Sequence, residues 1–563
     1  MTTIESVPAD TSDTSDTPPF LAALADWITS TDHKKLGRLL AGGGLLGLLT
    51  TIVVNLLIAV ERVDGSGAAL DVDSWSQLIT AQRVGLVFGA GLPLAAGLAV
   101  AVTPLQLGAR SIAFPRLVGT GVWMWFGGFV LSIISISANG GFGGGDPDMV
   151  DLFLAAHGLM ALGLLSVGVA LVTSVLTTRA PGMTMRRVPF FAWSTMVFGI
   201  GLVLVMPVFV GTLIYLFVDH RSGTREAFGG NDGIATWAGW MFTQPATFLL
   251  AIPALGLFAD LLPTTFKKRT PLRGAVFAGL SLVLVSALGA VTQQIRFDVP
   301  WSGSLLYIGD GDDVREKVND VLPWGFFHVL PIVGAGILFL MAAFLAKPEK
   351  DESGQTIRPN ITAAFLFAFF GYGMVLVGMH GAAIEPIVDL DLIGTVFGEA
   401  VLVYVVYGAA LGVLGGLAYW APKLWGVELD LKKTAPLALL GVGGVVLASF
   451  PHYIAGFLDQ PAGLAYDDSD LQIWNIVVLV GHALFFLAAF AFVGLLVSTV
   501  VGRDGSSAPD DPSDGHTIEW ATTSPAPTDN FVDVPAITSA EPMLDLRGAS
   551  ASDQATPNPG GAS

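Results

Sequence analysis

Histidines and buried carboxylates are the residues of this chain with most scope for chemistry. There are eight histidines, His33, His157, His220, His328, His380, His452, His482 and His516. Five of them, His157, His328, His380, His452 and His482, fall in or near long apolar stretches; the other three read as tail or loop residues. No HxH, HH or HExxH spacing occurs, and no two share an apolar stretch at ligand spacing. A haem or copper site needs imidazoles converging in one layer. Each of these histidines therefore reads first as a hydrogen-bonded packing group, and as a ligand only if separate helices bring several together. Glu385 and Glu399 lie at the end of one apolar stretch and inside the next. Carboxylates at such depth are candidates for proton movement, or else interior groups held by hydrogen bonds or snorkelling to the interface. The third and eighth apolar stretches carry no acid, so no continuous acid wire is visible. Cysteine is absent, which removes disulfides, thiolate metal sites and thiol nucleophiles.

The elements that must position these groups are hydrophobic spans. Of 563 residues, 53% are hydrophobic and 13% charged, against about 25% charged in a soluble domain. That composition excludes a soluble multidomain enzyme. The net charge of −19 disfavours nucleic-acid binding, which wants a basic face. Stretches of about 20 apolar residues, enough to cross the hydrocarbon as helices, occur at 38–60, 83–106, 115–138, 151–177, 188–218, 236–262, 272–294, 321–346, 361–385, 394–421, 434–457 and 472–501. The expected fold is an all-α membrane protein, a bundle of twelve transmembrane helices. Lys34, Lys35, Arg38, Lys267, Lys268, Arg269, Lys432 and Lys433 collect on one side of that alternation, and far fewer cations, Arg62 among them, on the other. The excess marks the inner side and places both termini in the cytoplasm of a cell whose plasma membrane the chain spans. Residues 1–27 read as a disordered acidic tail with no evident cleavable signal, 28–503 as the membrane domain, and 504–563 as a polar, solvated tail. The long outer connections 219–235 and 295–320 read as solvated loops, the second a possible partner contact. Glycine inside the spans reads as close helix packing.

Four segments carry a family likeness. Ser30-Thr31-Asp32-His33-Lys34-Lys35-Leu36-Gly37 precedes the first span. Pro104-Leu105-Gln106-Leu107-Gly108-Ala109, with Ala113-Phe114-Pro115-Arg116, links spans two and three. Arg179-Ala180-Pro181-Gly182-Met183-Thr184-Met185 is followed by Val188-Pro189 and Phe191-Ala192-Trp193-Ser194. His516-Thr517-Ile518-Glu519-Trp520 is followed by Thr523-Ser524-Pro525-Ala526-Pro527. Together these resemble the catalytic subunit I of haem-copper (cytochrome c) oxidases over residues 28–531, and the twelve-span arrangement with both ends inside is also that family's.

The resemblance implies haem and copper as cofactors, held by six histidines, and at each of those places this sequence departs. The span-two haem ligand falls on Gln82. The span-six motif, usually His-Pro-Glu-Val-Tyr, reads Gln244-Pro245-Ala246-Thr247-Phe248, so Phe248 stands for the redox tyrosine and Ala246 for a proton-path carboxylate. The histidine pair of span seven falls on Gln293-Gln294. Span ten, through Glu399-Ala400-Val401-Leu402-Val403-Tyr404, has no histidine. The propionate-binding arginine pair falls near Ala462-Gly463, and span eight lacks the lysine of the second proton path. An amide keeps a polar group of similar reach but lacks the imidazole nitrogen that binds iron or copper well. The expectation is a metal-depleted homologue with no catalytic, cofactor-binding or metal residues. It would be a structural or accessory subunit of a respiratory oxidase complex in membrane lipid, with subunit II- or III-like proteins or a ligand-complete subunit I as partners. Two other readings stand beside it: an active terminal oxidase with unusual haem ligation, and a small-molecule or ion transporter using the vacated haem cavities.

Overall fold

A computed structural model describes residues 20–63, 72–222, 230–289, 321–350, 354–463, 470–503 and 507–555, with the single residues 70, 318 and 505. Among these, eleven helices are long and apolar enough to cross a membrane. We number the helices α1 (His33–Val63), α2 (Ser74–Gln106), α3 (Pro115–Ser137), α4 (Pro147–Thr177), α5 (Phe190–Arg221), α6 (Gly233–Phe266), α7 (Arg273–Ala287), α8 (Val321–Leu345), α9 (Ala363–Ile384), α10 (Val396–Trp425), α11 (Leu431–Gly456) and α12 (Gln472–Val501). The short one is α7, expected to span 272–294. The residues beyond Gly289, with Gln293, Gln294 and most of the 295–320 connection, lie outside the described residues. Residues 219–222 and 230–235 of the other expected outer loop are helical, and 223–229 also lie outside.

Local chemistry sets the helix ends. Asp146 accepts from the backbone N–H of Asp148 and Met149 (3.0 and 3.1 Å) and starts α4 with Pro147 in its first turn. Thr362 caps α9 through Phe365 N–H (3.1 Å), and Asp430 caps α11 through Lys432 N–H (2.9 Å). These oxygens satisfy donors that have no partner within the helix. Gly426, at φ 69°, ends α10 in the left-handed conformation that favours glycine.

The most apolar 18 residues of α2, α6 and α10 are buried throughout, whereas α3, α8 and α12 leave most of theirs on the outer surface. The three inner helices are the ones on which most of the family's ligands would sit. α1 closes tightly on α2: a Cβ at Gly47 would lie 2.0 Å from the carbonyl oxygen of Gly89, so only glycine permits that approach. Gly89 belongs to a π-helical turn, Gly85–Gly91, that begins three residues after Gln82; a second, Gly325–Val329, contains His328. Such turns widen a helix locally and are frequent at functional sites.

The described parts of both tails are more ordered than the composition suggested. Residues 20–27, expected within a disordered tail, belong to a helix, Phe20–Ile28. It is held by a Lys35–Asp26 ion pair (2.6 Å), by Trp123 Nε1 donating to Ile28 O (3.0 Å), and by Arg38 over the Trp27 ring. The expected solvated tail docks onto the bundle at the face where α1 begins. Leu107, Ala109, Ala180, Met183, Val188, Ile518, Phe531 and Ile537 bury one another in a cluster there. Ala180 N–H donates to Leu107 O (2.9 Å), and Arg187 donates to Gly182 O and Ile537 O (2.8 and 2.9 Å). The segments that carry the family likeness are thus one packed unit. A short apolar side chain every few residues is enough to dock a segment whose average composition is polar.

Candidate functional site

Gln82 lies on α2 with 3% of its surface exposed, and its Oε1 has no hydrogen-bond partner among the described residues. Across from it on α10, Val403 and Val401 face two different cavities. The smaller, about 10 Å³, is lined by Asn55, Arg62, Gln82, Glu399, Val403, His452 and His482, among others. It has room for one water molecule.

What fills this region is a buried ion pair. Arg62 Nη1 and Nη2 donate to Glu399 Oε2 and Oε1 at 2.9 and 2.8 Å, with side-chain exposures of 1% and 5%. Arg62 Nη2 also donates to Ala462 O (2.9 Å), and its guanidinium sits 5.6 Å from the Trp75 ring centroid. The two-pronged geometry matches guanidinium to carboxylate and fixes α1 against α10. Around it, Asn55 Nδ2 donates to Tyr407 Oη (2.7 Å), which donates to His482 Nδ1 (3.0 Å). Gln460 Nε2 donates to Asn475 Oδ1 (3.0 Å), and Asn475 Nδ2 to Arg62 O (3.3 Å). Polar atoms of α1, α10, α12 and the 460–462 segment thus bond one another beside Gln82, while Asn55 Oδ1, Arg62 Nε and Gln460 Oε1 have no partner among the described residues.

The sequence reading placed Arg62 with the outer-side cations; here it is buried. Ending a hydrophobic run, an arginine reads as an interfacial flank. The signal that could have found it is Glu399: a carboxylate inside a span demands a cation at similar depth, and few exist. His452 and His482, on adjacent helices, are the in-span histidines that meet, both lining the small cavity. The remaining three stay apart. His157 Nδ1 donates to Phe153 O (2.8 Å) inside a box of Phe88, Phe153 and Phe242. His328 Nδ1 donates to Ala382 O (3.0 Å), and His380 Nδ1 to Leu376 O (2.7 Å). His33, His220 and His516 are not loose loop residues: His33 and His516 are buried, and His220 pairs with Asp151 (2.8 Å).

The larger cavity, about 490 Å³, is lined by Gln82, Arg83, Thr243, Thr247, His328, Glu385, Glu399 and Val401, with Trp240 and Phe242 among its apolar walls. Phe248 is fully buried and lines neither cavity. Gln244 begins the last unbroken run of α6; its side chain, like Gln293 and Gln294 entirely, lies outside the described residues.

At the opposite end of the bundle the C-terminal segment closes the space between α2, α6 and α10. Glu519 Oε1 accepts from Trp420 Nε1 (3.1 Å), Thr517 Oγ1 (2.7 Å) and Gln106 Nε2 (3.3 Å). Gln106 Nε2 also donates to Asp260 Oδ2 (2.8 Å), whose two oxygens take the N–H groups of Phe190 and Phe191. Burial, with the Asp260 carboxylate as a smaller contributor, pushes the Glu519 carboxyl up to about 7. Its pKa in the docked state therefore exceeds the free value, so docking is favoured most below the free pKa and weakens as pH rises through 7. Hydrogen exchange of residues 515–535, corrected for its intrinsic pH dependence, is expected to be slower at pH 5 than at pH 8, and Glu519→Gln should flatten the difference. Equal protection at both pH values in the parent chain would contradict the assignment.

These surroundings suit haem and copper poorly. Gln82 and Val403 offer no imidazole from α2 or α10; beside Val403 the space is taken by an ion pair and one water's volume, and the larger cavity between the same two helices has His328 as its one imidazole among the described residues. Among the described residues no group of three His, Asp or Glu side chains could hold a metal ion.

Residues 35–293 match the protein family described as Cytochrome C and Quinol oxidase polypeptide I. The chain is 27% identical over 553 residues to Cytochrome c oxidase subunit 1 of Bacillus subtilis (strain 168), covering 92% of this chain and 83% of that protein. It is 29% identical over 546 residues to Probable cytochrome c oxidase subunit 1 of Bradyrhizobium diazoefficiens, covering 93% and 78%. To Cytochrome bo(3) ubiquinol oxidase subunit 1 of Buchnera aphidicola subsp. Schizaphis graminum it is 25% identical, covering 93% and 79%. A cryo-EM structure of a heme-copper terminal oxidase dimer superposes with a TM-score of 0.57 at 14% identity, over 84% of this chain and 85% of that one. That likeness is one of fold.

Proposed function

Because the chain belongs to the haem-copper oxidase subunit I family, we propose its role as a departure within that family: a metal-depleted, non-catalytic subunit of a respiratory oxidase complex. The observation that carries this reading is the Arg62–Glu399 pair. Where α2 and α10 would clasp a haem, α2 offers an amide and α10 no imidazole, and a charge pair fills part of the space beside them. A buried charge pair bonded through both prongs suits a fold that holds itself together without a cofactor. The packed unit of residues 104–109, 179–188 and 516–537 is meanwhile intact, which is what a partner recognising the family frame would meet.

Its relatives are named as oxidase subunits, so the partners we assign are subunit II- or III-like proteins or a ligand-complete subunit I. The cation excess at the face where α1 begins, and the docking of both described ends there, support cytoplasmic termini in the plasma membrane. Purified from a haem-replete host, the protein should show no Soret band and copper well below one atom per chain, and should co-purify with oxidase subunits. Stoichiometric haem or copper would overturn the metal-depleted reading. Oxygen consumption that persists after every ligand-complete oxidase of the host is deleted would establish the catalytic alternative.

A further inference from the structure

Two opposite charges stand on the wall of the larger cavity, near enough to act on each other but not in contact. Arg83 on α2 and Glu385 at the end of α9 both line it, and neither forms an ion pair within 4 Å among the described residues. The other carboxylate there, Glu399, is already taken by Arg62. The Glu385 carboxylate has a seat cut into α10: a Cβ at Gly398 would lie 2.3 Å from its Oε1 and 3.2 Å from its Cδ. Trp240, Phe242, Leu86 and Leu402 supply apolar walls. At 490 Å³ the cavity lies in the range of small-ligand sites, about 300–1,000 Å³.

A charge at this depth that touches no counter-ion has much of its desolvation uncompensated. One molecule relieves both charges if it carries an ammonium and an anionic group a few bonds apart. The ammonium must bear N–H donors, because the Glu385 carboxylate accepts. The anion should be an oxyanion, which a guanidinium meets with two parallel donors. We propose that this cavity binds a primary-ammonium zwitterion, the chemistry of a phosphoethanolamine group, with the ammonium on Glu385 and the oxyanion on Arg83. The inference rests on the metal-depleted reading, since a porphyrin would need the same space.

The source of that zwitterion, a phospholipid headgroup or a free solute, is separated by two arms. The full chain is placed in nanodiscs of phosphatidylethanolamine or phosphatidylcholine, extracted, and analysed by native mass spectrometry. In parallel, soluble phosphoethanolamine is titrated against the delipidated protein. The absorption spectrum is recorded first, so that a Soret band, which defeats the metal-depleted reading, is distinguished from a haem-free protein that fails to bind. One phosphatidylethanolamine should stay per chain, with phosphatidylcholine retained at least about tenfold less, because methylation removes the donors. Glu385→Gln should lower retention by a similar factor with an unchanged melting temperature. Gly398→Ala, which displaces the carboxylate while keeping its charge, should do the same. Binding of soluble phosphoethanolamine without lipid retention supports the site and assigns a soluble occupant. Equal retention of the two lipids, indifference to both variants, or a haem-free protein that binds neither probe overturns the proposal.

Discussion

Replacing Glu399 by glutamine should cost the protein about 3–5 kcal/mol of stability, because it leaves the Arg62 guanidinium buried beside a neutral amide. The pair is almost fully enclosed, and Arg62 has one further acceptor, the carbonyl of Ala462. Arg62→Met should do comparable damage from the other side, stranding the carboxylate. The double variant Arg62→Met/Glu399→Leu removes both charges and should recover most of the loss, since an apolar pair of similar volume needs no compensation. Thermal unfolding in detergent, followed by size-exclusion recovery of intact monomer, reads all four proteins. If the single variants unfold with the parent, the pair does not hold α1 to α10, and the strongest support for a cofactor-free interior is lost.

Truncating Trp520 to alanine should be the other large effect, about 3–5 kcal/mol for removing a fully buried indole. Trp520 packs edge-on against Tyr419 with ring centroids 4.9 Å apart, and Lys423 Nζ lies 5.3 Å from its ring. Here the cost falls on docking rather than on the bundle. Lys423 donates to Thr522 O, and Asn530 Nδ2 donates to Ala109 O (2.7 Å) and to His33 Nε2 (2.9 Å). These contacts let go together when the segment lifts. Limited proteolysis should therefore cut near residues 510–530 in Trp520→Ala while the spans stay intact. Protection equal to the parent's would show that the polar contacts alone retain the segment.

The spans were legible because hydrocarbon leaves little choice: eleven of the expected twelve have counterparts as long apolar helices, and the seventh is described as the shorter α7. The likeness at 179–185 and 516–531 was legible too. What composition hid was that these runs pack on each other, since Ile518, Phe531 and Ile537 are scattered among polar residues. The filling of the space near Gln82 was illegible for a different reason. Its members, Asn55, Arg62, Glu399, Tyr407, His452 and His482, come from four helices, with no two in a spacing that marks a site. Only their depth connects them. An amide at Gln82 could be read from one residue; what packs beside it depends on helices far apart in the chain.

The clasp between Asn530 and the first turn of α1 joins residues 497 positions apart, and this imposes an order in time. When a ribosome has delivered α12 to the bilayer, the acceptors for Trp420 Nε1 and Lys423 are still unmade or inside the exit tunnel. Until release, the nascent bundle presents those unmet donors on one surface. A product truncated before residue 516 would present them permanently, and cellular surveillance would have a chemical mark by which to tell an unfinished molecule from a complete one.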